Sequence, residues 1–75
     1  MSTFEQVLGQ VIAEQRRKVG LSQEALAGLC GVHATYISQL ERGLKSPTVR
    51  VLRRIAEALG TLGSKLLAVA EAQVL

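Results

Sequence analysis

The stretch from Leu21 to Gly43 reads LSQEALAGLCGVHATYISQLERG, and the reading of the whole chain turns on it. Ser22 is a good N-cap, and Glu24 sits in the first turn of a helix that Gly31 stops. Leu21 and Leu26 hold the two positions of a hydrophobic staple around that cap. A second short helix is expected over about 34–42, ended by Gly43. The residues between them suit a close crossing. Ala27 is small where the helices meet, Gly31 lies at the turn, and Ile37 packs back on the core. Leu26, Cys30, Val32 and Leu40 are apolar at the remaining inward positions.

Any one of these matches is common by chance. Together they describe two short helices joined by a three- to four-residue turn containing glycine, a helix-turn-helix unit. The flanks read as helix too. Phe4, Val7, Leu8, Val11, Ile12 and Val19 predict an amphipathic helix over about 3–18, with Arg16, Arg17 and Lys18 at the negative end of its dipole. Pro47 disfavours helix at Ser46, and Thr48 is positioned to cap a helix running to Leu59 before Gly60. Leu62, Leu66, Leu67, Val69 and Ala70 predict a last helix over about 62–73, with Gly63 leaving its start open. No period-2 alternation, repeat or low-complexity segment appears. The expectation is all-α: one domain over 1–75, built from five short-linked helices with the helix-turn-helix at about 22–42.

The length of 75 residues suits one thinly stabilised domain and leaves no room for a second, ligand-sensing one. The reactive inventory is poor. There is no Asp, and His33 and Cys30 stand alone. A zinc site needs more ligands, and a Ser-His-Asp or Cys-His-Asn triad lacks its orienting group. We therefore expect neither an enzyme nor a cofactor or metal. A single Cys forms no disulfide within the chain, and no apolar run approaches the roughly 20 residues that span a bilayer. The N-terminus lacks a signal-peptide pattern. A cytoplasmic protein without membrane contact is the default. Cys30 reads as a small buried hydrophobe, with a redox switch the minor alternative.

Charge is unevenly placed. Residues 16–54 carry eight Lys and Arg side chains against Glu24 and Glu41, a local balance of +6 inside a net +3. That concentration fits either a solvated face or a surface for polyanions. The charge count does not choose between them.

The stretch Leu21–Gly43 closely resembles the phage-repressor and Xre-type helix-turn-helix family, and the likeness extends more weakly from about Arg16 to Leu59. In length and in Thr35-Tyr36-Ile37-Ser38 the chain is especially similar to the small controller proteins of restriction-modification systems, and it is also like short phage and plasmid repressors. The resemblance implies a compact five-helix domain that binds double-stranded DNA, usually as a symmetric dimer. Such a regulator represses by occluding a promoter or activates by touching RNA polymerase. The resemblance further implies that Gln23 bonds a phosphate and braces the recognition helix. It also implies a partly buried Arg16–Glu41 ion pair that fixes the third helix against the first.

A helical wheel picks the DNA-facing residues independently. With Ile37, Leu40 and Glu41 inward, Thr35, Ser38, Gln39 and Arg42 face out, with Ala34 and Tyr36 on the flanks. Gln39 suits adenine, and Thr35 offers a hydroxyl and a methyl to base edges. Arg42, Lys45, Ser46 and Arg17 are expected on phosphates, with Arg42 also in reach of a base. Arg50, Arg53 and Arg54 fit a solvated face as well as phosphate contact. His33 stands where Ser, Thr or Asp would cap better; it is a surface residue or a phosphate contact. Ala34 limits its base step to apolar contact. The last helix is too apolar for one small core, so Leu62, Leu66, Leu67, Ala70 and Val74, with Val69 and Leu75, are expected at a dimer interface. The competing reading is an antitoxin or co-activator module that uses the same fold and binds protein through that tail.

Overall fold

The computed structural model describes residues 2–74 and contains five helices: α1 (Phe4–Lys18), α2 (Gln23–Cys30), α3 (Ala34–Glu41), α4 (Val49–Ala58) and α5 (Gly63–Val74). No strand occurs among the described residues. No helix there is long and apolar enough to cross a membrane.

Local chemistry sets most of the helix ends. At α1 the Thr3 hydroxyl accepts the Gln6 N–H at 3.1 Å, while the Thr3 N–H donates to Gln6 Oε1 at 2.9 Å. This is a full capping box, satisfying two otherwise orphaned donors. Ser22 caps α2 by accepting the Ala25 N–H at 3.0 Å, and Thr48 caps α4 through Val51 at 3.1 Å. Gly31 closes α2 at φ 70°, a left-handed conformation that a side chain would strain. α3 is the exception: His33 stands at its N-cap with extended backbone and makes no side-chain capping bond.

The core is aliphatic. Ile12 of α1, Leu26 and Cys30 of α2, Ile37 and Leu40 of α3 and Ile55 of α4 are fully buried together, and Leu52, Leu59, Leu66 and Ala70 join them. α2 packs on α3 and α4, while α1 packs on α3 and α5 and so joins the helix-turn-helix to the C-terminal helix.

The structure corrects several expectations. α1 begins at Phe4, α3 ends at Glu41 with Arg42 as its cap, and α5 runs 63–74, not 62–73. Val19 lies beyond the end of α1 and is exposed, so it does not extend the apolar face. Two residues assigned to a dimer interface are not available for one. Leu66 is 4% exposed and Ala70 is fully buried, because both face the chain's own core along one stripe of α5. Leu67 is half-buried against that core, while Leu62, Val69 and Val74 remain exposed at 60%, 49% and 47%. Leu75 lies outside the described residues.

Candidate nucleic-acid interface

The inner edge of α3 is held by a polar network. Glu41 is the last residue of α3, and its side chain is 5% exposed. Arg16, near the end of α1, meets it in a two-pronged contact: Nε donates to Oε2 at 2.6 Å and Nη2 to Oε1 at 3.0 Å. The remaining arm, Nη1, donates to the Leu21 carbonyl at 2.9 Å, reaching the loop before α2. Hydrogen bonding to Glu41, more than its charge alone, raises the guanidinium's pKa, with burial pulling the other way. Gln23 Nε2 donates to Glu41 Oε1 at 2.9 Å. One carboxylate therefore ties together α1, α2 and α3. No buried side-chain N or O among the described residues lacks a partner, so the network is closed.

A second contact fixes the same end of α3 from the backbone side. Gly9 lies in the middle of α1, buried, where a Cβ would collide with the Leu40 and Glu41 carbonyls. Gly43, at φ 75°, is equally crowded by the Gln6 backbone. α1 can approach the end of α3 this closely only with hydrogen at both places. Sequence reading treated Gly43 as a helix stop and passed over Gly9. A glycine inside a helix is unfavourable by about 1 kcal/mol relative to alanine, and that was the available signal. The Gln23–Glu41 bond was also missed. The Gln23 amide, expected to serve a phosphate, has one N–H committed inward; the other is the one geometry leaves for a ligand.

With the inner edge fixed, the outer surface divides into two shallow grooves along α3. One, of about 270 Å³, brings Glu14 and Arg17 of α1, Gln23 of α2, Ser38 of α3 and the cap residue Arg42 together beside Glu41. The other, of about 670 Å³, is lined by Val32, His33, Thr35, Tyr36, Gln39 and Lys45. Thr35 and Arg42 are exposed; Ser38 and Gln39 are half-buried but line the grooves. Ala34 and Tyr36 are half-buried and pack partly on the core, which narrows the face each presents. The Lys45 ammonium stands 5.9 Å from the centre of the Tyr36 ring. Ser46 is exposed in the loop before α4 and lines neither groove. Arg50, Arg53 and Arg54 are exposed on α4, and Arg54 lies on a separate groove beside Gly28 and Gly31.

α3 thus presents hydroxyl, amide and phenol groups outward. Its only carboxylate is turned in and neutralised. Such a face fits the major groove, whose base edges are read by hydrogen bonds and methyl contacts. Cations along both edges suit the flanking phosphates. Cys30 takes no part. It is buried, and that burial pushes its thiol pKa up despite the nearby Arg54 charge.

Comparison with known proteins agrees with this geometry. A family model described as helix-turn-helix matches residues 12–66. An uncharacterised HTH-type transcriptional regulator, y4dJ of Sinorhizobium fredii, is 43% identical over 54 residues, covering 72% of this chain and 70% of that protein. The control protein C.BamHI of Bacillus amyloliquefaciens is 39% identical over 62 residues, covering 81% of this chain and 76% of its own. Among solved structures, the clp gene regulator ClgR of Corynebacterium glutamicum superimposes with a TM-score of 0.90 at 28% identity, over 96% of this chain and 77% of that one. The match over most of the chain, from the middle of α1 into α5, places it in the helix-turn-helix family of DNA-binding regulators.

Proposed function

We propose that this chain regulates transcription by binding a pseudo-palindromic operator as a symmetric dimer, with α3 as the recognition helix. The observation that carries the reading is the outer face of α3. Thr35, Ser38 and Gln39 are presented between two cationic margins, and the one carboxylate of the helix is withdrawn into the Arg16–Glu41–Gln23 network. Gln39 reads adenine, and Thr35 reads through hydroxyl and methyl. Arg17, Arg42, Ser46 and the outward N–H of Gln23 hold phosphates, beside the backbone N–H groups at the start of α2. His33, which lines the larger groove, adds a phosphate contact there.

The dimer uses what α5 leaves uncovered. Leu62 and Val69 flank the buried Leu66–Ala70 stripe on one side, with Leu67 and Val74 on the other. Burying them against a second copy removes apolar surface that one chain leaves in water. On a pseudo-palindrome the two copies of α3 enter successive major grooves about 34 Å apart. The likeness to the control protein C.BamHI and to the restriction-modification controller protein C.AhdI of Aeromonas hydrophila supports a controller of a restriction-modification system, working in the cytoplasm.

Binding measured across a salt series tests this. Random DNA should bind weakly with a steep salt dependence, and an inverted repeat near the coding region should bind about a thousandfold or more tightly. Equal affinity for every sequence would sink operator recognition. A monomer by sedimentation at high micromolar concentration would sink the dimer. Co-purification of a different protein in fixed stoichiometry on the α5 surface would favour the antitoxin or co-activator reading instead.

A further inference from the structure

The lysine in the loop after α3 is the residue whose placement is least explained by a role in general charge attraction. Lys45 comes from the segment between α3 and α4. An exposed lysine on such a loop is free to extend toward the DNA backbone, where a point charge binds any phosphate. Here the side chain instead turns back over α3. Its ammonium stands over the Tyr36 ring, 5.9 Å from the centroid, within the range of a cation–π attraction. It closes one side of the groove that also holds Thr35 and Gln39, the two residues best suited to base edges. Arg17 and Arg42, by contrast, line the other groove, beside Glu41.

Resting on the DNA-binding reading above, we propose that Lys45 reads a base edge and that Tyr36 is the positioning residue that holds it there. The chemistry that fits is a guanine at the base step next to the one Gln39 reads. Its O6 and N7 are a pair of adjacent acceptors in the major groove, and the ammonium has three donors and no acceptor. An adenine at that step offers N7 but turns an N6 donor toward the cation, so the charge discriminates between the purines. Tyr36 matters because a lysine side chain loses considerable rotamer freedom when it is fixed. The ring face restricts the ammonium before DNA arrives, so less ordering remains to be done on binding. The Tyr36 hydroxyl is not required for this; the ring is.

The test uses the full chain and the operator it selects from random oligonucleotides, with every base pair of one half-site then replaced singly. The native chain, K45Q, Y36F and Y36L are compared by competition binding, with thermal melting to confirm folding. K45Q should flatten discrimination at one G·C position by about tenfold while leaving the Gln39-dependent position intact. Y36L should flatten the same position in part, and Y36F should retain it. Weakening of all sequences alike by K45Q, with discrimination unchanged, would make Lys45 a phosphate contact and overturn the proposal. Y36F behaving like Y36L would overturn the role of the ring. Selection of no sequence by the native chain would sink the DNA-binding reading itself, and this inference with it.

Discussion

α3 and α5 are two helices of similar apolar content, but they are anchored by different physics. α5 is held by aliphatic contact alone, with Leu66 and Ala70 sunk in the core. α3 is held on its inner side by Ile37 and Leu40, and at its C-terminal end by a carboxylate that collects three hydrogen bonds from α1 and α2. Apolar packing tolerates small rotations and translations at modest cost. A two-pronged guanidinium–carboxylate contact does not, because its planes and distances are specified. The difference teaches where precision is needed. A helix that must match base edges is pinned in orientation, while one that supplies bulk and a partner surface is merely covered.

The largest effect should follow from breaking the pin. Glu41→Ala leaves Arg16 buried without its partner and should reduce stability by about 3–5 kcal/mol, read from the urea midpoint. Glu41→Gln keeps the volume and one acceptor. It should lose stability less and operator affinity more than its stability loss explains, because α3 is no longer fixed in angle. Unchanged stability and unchanged operator binding in Glu41→Gln would remove the network from the account. Leu66→Ala is the matching change on α5, with an expected loss of about 2–5 kcal/mol. Its folded fraction should keep the native sequence preference. A changed preference would show that α5 also sets the angle of α3, and the contrast between the helices would fail.

The contrast also explains what the sequence disclosed. Helix periodicity, the Ser22 and Thr48 caps, and the terminating glycines are local signals, and they yielded all five helices to within a residue or two. The partners of α3 were harder. Gly9 and Glu41 are 32 positions apart, and nothing in a periodic pattern says which mid-helix glycine a carbonyl will approach. The Arg16–Glu41 pair was legible through the family resemblance alone, and the same resemblance sent Gln23 toward phosphate while the structure shows it also serving Glu41. α5 misled for a different reason. Counting apolar residues overestimated the surplus, because a stripe one residue wide on the helix takes Leu66 and Ala70 inward and leaves their neighbours at the edges.

A smaller effect separates reading from folding. Gln39→Ala should leave the melting temperature nearly unchanged, since surface substitutions away from special features fall within about 0.5 kcal/mol. It should weaken operator binding by about 1–3 kcal/mol and relax one position of each half-site. The two values together locate Gln39 on the outer face of α3. A large stability loss with no loss of specificity would put its amide to structural use and leave Thr35 as the main reader.

The smallest expected effect compares one cation beside each helix. Arg42 caps α3 at its C-terminal end and lines the groove with Arg17, Gln23 and Ser38. Lys65 is exposed in the first turn of α5, on a helix that packs mainly on α1 and α4. Both contribute equally to net charge, so a purely global attraction would feel their loss alike. Phosphate contact is local: each neutralised phosphate releases its condensed counterions and adds about 0.9 to the slope of log affinity against log salt. Arg42→Ala should therefore lower that slope by about one on operator and random DNA together, while Lys65→Ala should leave it unchanged. Equal slopes for the two variants would mean that the surface acts through its overall charge and that the cationic margin of α3 has no privileged geometry.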